Sequence, residues 1–219
     1  MDPLHDSISK VELLEVMGND LTVVNAARVS FNKESTQMCE ADAKLIRYLA
    51  KHKHVTPFFH PQIRMRIKMP IFVAREWYRH QIGFARNEVS RRYVDFKAEV
   101  YTPMELRARD PKLKQGSKAE SVEDNEHIAE AMRASLHAAV ETYESLLAAN
   151  VAPEVARMVL PQSMYTEFIE TGSLAAYARL CALRLDPTAQ KEIREYAEAV
   201  SKLLKDKFPV SWEALMVDV

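Results

Sequence analysis

The residues best equipped for chemistry lie in one basic stretch. Arg75 and Arg79 are one helical turn apart, which lets two guanidiniums grip one phosphate or carboxylate with forked donors. Beyond Gly83 comes a polar run, Arg86-Asn87-Glu88-Val89-Ser90-Arg91-Arg92-Tyr93, with donors for phosphate oxygens and one carboxylate. Between Arg64 and Arg92 eight basic residues meet only Glu76 and Glu88, a local excess of +6. The whole chain is −1, so everything outside this window sums to −7. That asymmetry suits an anionic partner, although the same arginines would also serve to balance acids on a solvated face. The four glycines, at 18, 83, 116 and 172, form neither G-x-G-x-x-G nor a Walker-type loop. A phosphate must therefore be met by side chains and helix ends.

Other reactive side chains point less clearly to a site. His52, His54 and His60 make no helical i, i+4 pair, and no nearby carboxylate or thiolate completes a set, so no metal site is expected. Cys39 and Cys181 are too few and too far apart for a disulfide framework, and both read as small packing residues in helical patterns. Cys181, three residues before Arg184, is the better placed of the two to act as a nucleophile, since the nearby cation would favour its thiolate.

The elements that must position these residues follow from hydrophobic period. Ile63, Met65, Ile67 and Met69 alternate with Gln62, Arg64, Arg66 and Lys68, the pattern of a half-buried strand. Pro70 is expected at the first position of a helix, with Phe72, Arg75 and Arg79 on one stripe and Val73, Trp77 and His80 on the next. Upstream, a strand is expected at 11–16, a turn and N-cap at 18–20, and a helix at 21–29 with Val24 and Ala27 inward. A helix at 38–53 would turn Leu45, Tyr48 and Leu49 to its apolar side.

Downstream, a strand at 98–101 precedes a charged, breaker-rich insertion at 105–124 that is expected to be mobile. A long helix at 122–149 carries Ile128, Met132, Leu136, Val140, Tyr143 and Leu147 at helical spacing. A short helix at 154–160 bears Arg157, and a strand follows at 165–171. The next helix starts at 172–173 and ends at Arg184, with Leu180 and Leu183 toward the core, and a last one spans 187–208. This order lacks regular βαβ alternation, so the expected class is α+β, a mixed sheet packed with helices in a single domain, 1–219. No apolar run approaches the roughly 18 residues of a membrane span. The opening MDPLHDS has neither a basic start nor an apolar core, which gives a cytoplasmic expectation.

The run RHQIGFARNEVSRRY resembles the signature of flavin-dependent thymidylate synthases, which Arg79, His80, Asn87, Glu88, Ser90, Arg92 and Tyr93 fit. VELLEVMGNDLTVVNAARVSF and HKHVTPFFH are similar to that family's first strand and helix and its His-x-Thr-x-Phe flavin loop. EVARMVLP and the helix ending in Leu183-Arg184 are similar to its two later arginine sites. The matches keep the family's order and cover nearly the whole chain. There are departures: Gln81 replaces the second motif arginine, and eight residues, not seven, separate Gln81 from Ser90. Phe59 replaces a glutamate before His60, while Ser173 and Ala175 stand where asparagine and arginine are usual.

The resemblance implies FAD, reduced by NADPH, and transfer of a one-carbon unit from methylenetetrahydrofolate to C5 of a uracil nucleotide, dUMP or UMP. It implies a nucleotide held by Glu76, Arg79, Glu88, Ser90, Arg91, Arg92, Arg157 and Arg184. The flavin would be held by His54, Thr56, Arg79, His80, Gln81, Asn87, Glu88, Ser173 and Arg179. Arg184 would be the catalytic cation at the ring, where it stabilises negative charge as C5 becomes nucleophilic. A homotetramer with shared active sites is also implied. Alternatives are a hydroxymethyl-transferring relative, an inactive flavin binder, and a nucleic-acid-binding module using the 64–92 window. The −7 remainder and the lack of a basic tail count against the last.

Overall fold

Residues 62–70 form the strand on which the rest is built. In the computed structural model, which describes residues 1–94, 96–111, 116–118 and 120–217, Ile63, Met65, Ile67 and Met69 are fully buried. Arg64 and Arg66 point from the opposite face into solvent. The elements run β1 (Lys10–Met17), α1 (Asp20–Arg28), α2 (Glu40–Lys51), β2 (Gln62–Pro70), α3 (Ile71–Trp77) and β3 (Phe84–Glu88). Then come α4 (Asn125–Ala148), α5 (Pro153–Ala156), β4 (Tyr165–Ser173), α6 (Leu174–Arg184), α7 (Lys191–Lys207) and α8 (Pro209–Leu215). The sheet order is β1-β2-β4-β3 with every pairing antiparallel, so the α+β class holds but the sheet is not mixed in direction.

One face of the sheet is apolar and covered by helices, with Val73, Trp77, Tyr177, Leu180, Tyr196 and Val200 in the same buried cluster as the β2 side chains. The other face is a lattice of cross-strand charge. Glu12 stands opposite Arg66 and Glu15 opposite Arg64, with Arg64–Glu15 at 3.0 Å. Lys68 pairs with Glu99, and Arg66 reaches Glu12 and Glu167 at 3.9 and 3.8 Å.

Several boundaries differ from the sequence expectations for local reasons. Pro70 closes β2 and caps α3 from outside it, at φ −60 and ψ 145, and does not occupy the first helical position. The helix ends at Trp77, so Arg79 and His80 lie in the turn beyond it and Arg75 and Arg79 do not share a helical stripe. The turn is required because 84–88, which takes in the first three residues of the polar run 86–93, is the edge strand β3 on β4. Asn19 caps α1 reciprocally with Thr22, as the turn chemistry suggests. Tyr48 and Ile128, placed on apolar stripes, are exposed, as is Leu183.

Residues 98–101 contribute only an isolated bridge, Val100 with Met164. The helix expected at 187–208 is α7, its start delayed by the Asp186 side chain, which accepts Thr188 N–H at 2.7 Å, and Pro209 starts a further helix, α8, outside the sequence expectations. Asp20 accepts the N–H groups of Val210 and Ser211 at 3.0 and 2.9 Å, tying α8 to the start of α1. The insertion expected to be mobile is tethered where it is described. Arg107 bridges to Ser121 and grips Glu192 with two contacts of 2.8 and 2.9 Å. Its residues 112–115 and 119 lie outside the described residues.

Candidate active site

The phosphate-type donors of the sequence reading gather at a cavity of about 600 Å³ beside the free end of β3. Glu88, Ser90, Arg91 and Arg157 line it, with Glu154, Tyr165 and Thr166. Glu88 ends β3 and accepts a hydrogen bond from the Thr166 hydroxyl of the neighbouring strand. Ser90 begins the turn beyond, its Oγ accepting Arg92 N–H at 3.3 Å. Arg157 starts a 3₁₀ turn after α5 and is exposed. Arg92 is half exposed and 3.5 Å from Glu154, a pair loose enough to exchange for a ligand anion.

Arg91 departs from its expected role. It is buried, donates to the Phe96 and Lys97 carbonyls, and stacks 4.2 Å from the Phe96 ring centroid, so it anchors the turn that carries Ser90.

A second cluster forms where α3, the turn after it and the end of α6 meet. Arg184 is the last residue of α6, and its Nη1 pairs with Glu76. Its Nε donates to His80 Nε2 at 2.9 Å. Burial and the nearby charges of Arg184, Arg86, Arg179 and Arg79 push the His80 imidazole down to about 4, so the ring is neutral near pH 7. None of Arg184, Glu76 or Arg79 lines the 600 Å³ cavity. One chain therefore brings together two groups of predicted residues but does not merge them.

The residues matched to flavin binding surround this second cluster in part. Gly83, at φ +84, packs so closely on α6 that a Cβ there would lie 2.9 Å from the Ala176 Cβ. Ser173 N–H donates to Gly83 O at 3.2 Å, and Arg179 donates to Ile82 O. These contacts fix the 80–83 turn against the start of α6. Ser173 itself is buried and caps α6 through Ala176 N–H at 3.2 Å, so its hydroxyl is already engaged. Arg79, Gln81 and Asn87 are exposed; the Arg79 backbone N–H donates to Glu76 O at 3.3 Å, while its guanidinium has no hydrogen-bond or ion-pair partner among the described residues. His54 and Thr56 are exposed on the turn after α2.

Sequence reasoning missed the buried polar group beneath this region. Glu170, fully buried on β4, receives Arg86 Nε and, at 3.2 and 3.3 Å, Trp77 Nε1. An acid at an inward position of an alternating strand, between Phe168 and Gly172, was the available signal. The charge count also needs correction. Arg64, Arg66, Lys68, Arg86 and Arg92 each pair with an acid outside the 64–92 window, so most of the +6 excess is neutralised within the chain. Cys39 is likewise exposed at the start of α2, its thiol 3.1 Å from Asp42, whereas Cys181 is fully buried as expected.

Comparison with known proteins places this geometry. The Thy1 family, described as thymidylate synthase complementing protein, matches residues 12–210. A flavin-dependent thymidylate synthase of Thermus thermophilus is 41% identical over 204 residues, covering 93% of this chain and 74% of that protein. That of Kosmotoga olearia is 42% identical over 209 residues, covering 94% and 89%. A crystal structure of the UMP/dUMP methylase PolB from Streptomyces cacaoi bound with 5-Br dUMP superposes with a TM-score of 0.85 at 31% identity, over 95% of both chains. Fold, motif order and coverage agree: this chain belongs to the flavin-dependent thymidylate synthase family.

Proposed function

We propose that the protein transfers a one-carbon unit from methylenetetrahydrofolate to C5 of a uracil nucleotide, dUMP or UMP, with FAD bound and NADPH as reductant. The observation that carries this is the cavity where Ser90 and Arg157 converge beside Glu88, with Arg92 held only by a loose pair to Glu154. Such a set suits one phosphate with neighbouring hydroxyls. The relatives named flavin-dependent thymidylate synthase and the UMP/dUMP methylase with a bound nucleotide analogue support the same reading.

The chain has side chains that suit FAD. The Arg79 guanidinium, without a partner among the described residues, is a cation for a pyrophosphate, and Gln81 and Asn87 offer exposed amides. His54, Thr56, His80, Glu88, Ser173 and Arg179 complete the set implied by family membership, Ser173 being already engaged as the cap of α6. FAD would supply the electron-carrying chemistry of the methylation. The protein's own residues orient the nucleotide, and Arg184 opposes charge developing on the ring.

The separation of Arg184 from the phosphate cavity favours a homotetramer whose sites are completed by residues of neighbouring copies. Val29, Phe31, Ile82, Tyr93 and Met158, each more than two-thirds exposed, are apolar surface that such contacts would cover. Among the described residues no helix is long and apolar enough to cross a membrane, and a single-domain cytoplasmic enzyme is the reading adopted.

The test incubates the protein with FAD, NADPH, methylenetetrahydrofolate and either UMP or dUMP, and weighs the product. A nucleotide heavier by one CH2 supports the proposal, and one heavier by CH2O points to hydroxymethyl transfer. Failure to retain any flavin absorbance at saturating FAD would sink it.

A further inference from the structure

The pairing of Arg184 makes two neighbours part of its function. Glu76 comes from the last turn of α3, His80 from the turn that follows, and Arg184 from the end of α6, more than a hundred residues away. Glu76 Oε1 holds Nη1, and His80 Nε2 holds Nε at 2.9 Å, so two of the three guanidinium nitrogens are fixed from two different elements. Nη2 has no partner among the described residues, although the Arg184 side chain is only 17% exposed. For His80 Nε2 to accept, the ring must be neutral with its proton on Nδ1.

A guanidinium is planar, so fixing Nε and Nη1 also fixes the direction in which Nη2 points. An unheld arginine at a helix end would instead sample several rotamers, and each would have to be frozen when a ring bound.

We infer that Glu76 and His80 are positioning residues for Arg184: they clamp two of its nitrogens and leave Nη2 as the one arm aimed at an oxygen of the bound ring. Glu76 then acts through Arg184 before any contact of its own with substrate. The inference rests on Arg184 being the ring-facing cation. Its charge is partly balanced by Glu76 at rest, so geometry, not a bare positive charge, is what the clamp supplies.

The experiment compares kcat, nucleotide KM and flavin absorbance, at saturating FAD, for Glu76→Ala, Glu76→Gln, His80→Ala, His80→Gln, Arg184→Ala and the double variant Glu76→Ala/Arg184→Ala. Thermal unfolding checks that each is folded, and Glu76→Leu replaces the alanine variant should that fail to fold. Glu76→Ala and His80→Ala should each lower kcat by about tenfold to a hundredfold, as misplacement of a reacting group does, with nucleotide KM changed only a few-fold. The glutamine variants keep an acceptor near the same place and should recover most of that loss. Removing Glu76 in the Arg184→Ala background should cost nothing further.

Undiminished kcat in folded, flavin-loaded Glu76→Ala and His80→Ala would overturn the clamp while leaving Arg184's role standing. So would losses that add fully in the double variant. Near-normal turnover in Arg184→Ala would remove the role itself, and the clamp with it.

Discussion

Arg86 and Glu170 stand opposite each other across β3 and β4, and Arg86 Nε donates to a carboxylate with no exposed surface. The guanidinium lies 4.6 Å from the Phe84 ring centroid and 5.4 Å from that of Tyr78. Burial raises the Glu170 pKa, opposed by the Arg86 charge and the hydrogen bonds from Arg86 and Trp77. Removing one partner leaves a buried charge uncompensated. Arg86→Met and Glu170→Met should each cost about 3–5 kcal/mol of stability, and the double methionine variant should lie closer to the wild type than either single one. Urea unfolding measures this, and a cost below about 1 kcal/mol for either single variant would make the pair a surface-like one.

The phosphate assignment predicts a split between ligands. Arg92→Ala and Arg157→Ala should each weaken nucleotide binding by roughly tenfold to a hundredfold, equivalent to about 1.5–3 kcal/mol for a hydrogen bond to a charged group. FAD affinity should change much less. Glu154→Ala releases Arg92 from its 3.5 Å pair and should leave nucleotide binding intact or tighter. Equal turnover of uridine and its monophosphate would contradict the assignment.

Neither cysteine should be needed for turnover. Cys181 is fully buried, and burial drives its thiol well above the ordinary range, which denies it thiolate character. Cys39 sits at the start of α2 with its thiol on Asp42 and does not line the phosphate cavity. Serine at either position should keep kcat within a few-fold, while Cys181→Ser should lower stability by about 1–3 kcal/mol because it buries a hydroxyl. A folded Cys181→Ser protein without turnover would point to covalent thiol catalysis.

His80 should make acid stability steeper. Its pKa falls from 6.5 to about 4 on folding, so between those values the unfolded chain binds the proton and the native one does not. The stabilisation is complete above pH 6.5, declines as pH falls, and is lost by about pH 4. His80→Gln, which cannot take up the proton, should show a shallower loss of stability across that interval. Denaturant titrations at several pH values give the slopes, and identical slopes would count against a neutral buried His80.

Part of this protein was legible in its residues alone. The alternation of Ile63, Met65, Ile67 and Met69 with charged neighbours sufficed to identify β2 and its buried face, because strand period is a property of adjacent residues. The run from Arg79 to Tyr93 sufficed for the family, since motif spacing is also local. The same locality misled where tertiary pairing intervened. Residues 86–93 read as one polar run, yet 86–88 belong to an edge strand because β4 offers a free edge and Glu170 offers Arg86 a counter-charge.

What the sequence determined by itself was the α+β class, the central strand and the residue types of the site. Only the tertiary structure decided which acid meets which arginine. Glu76 is separated from Arg184 by 108 residues and Arg86 from Glu170 by 84, and nothing in local period selects those partners. Strand register and the packing of α6 against the 80–83 turn select them, because a charged hydrogen bond forms only where backbones already held by the core bring donor and acceptor within about 3 Å.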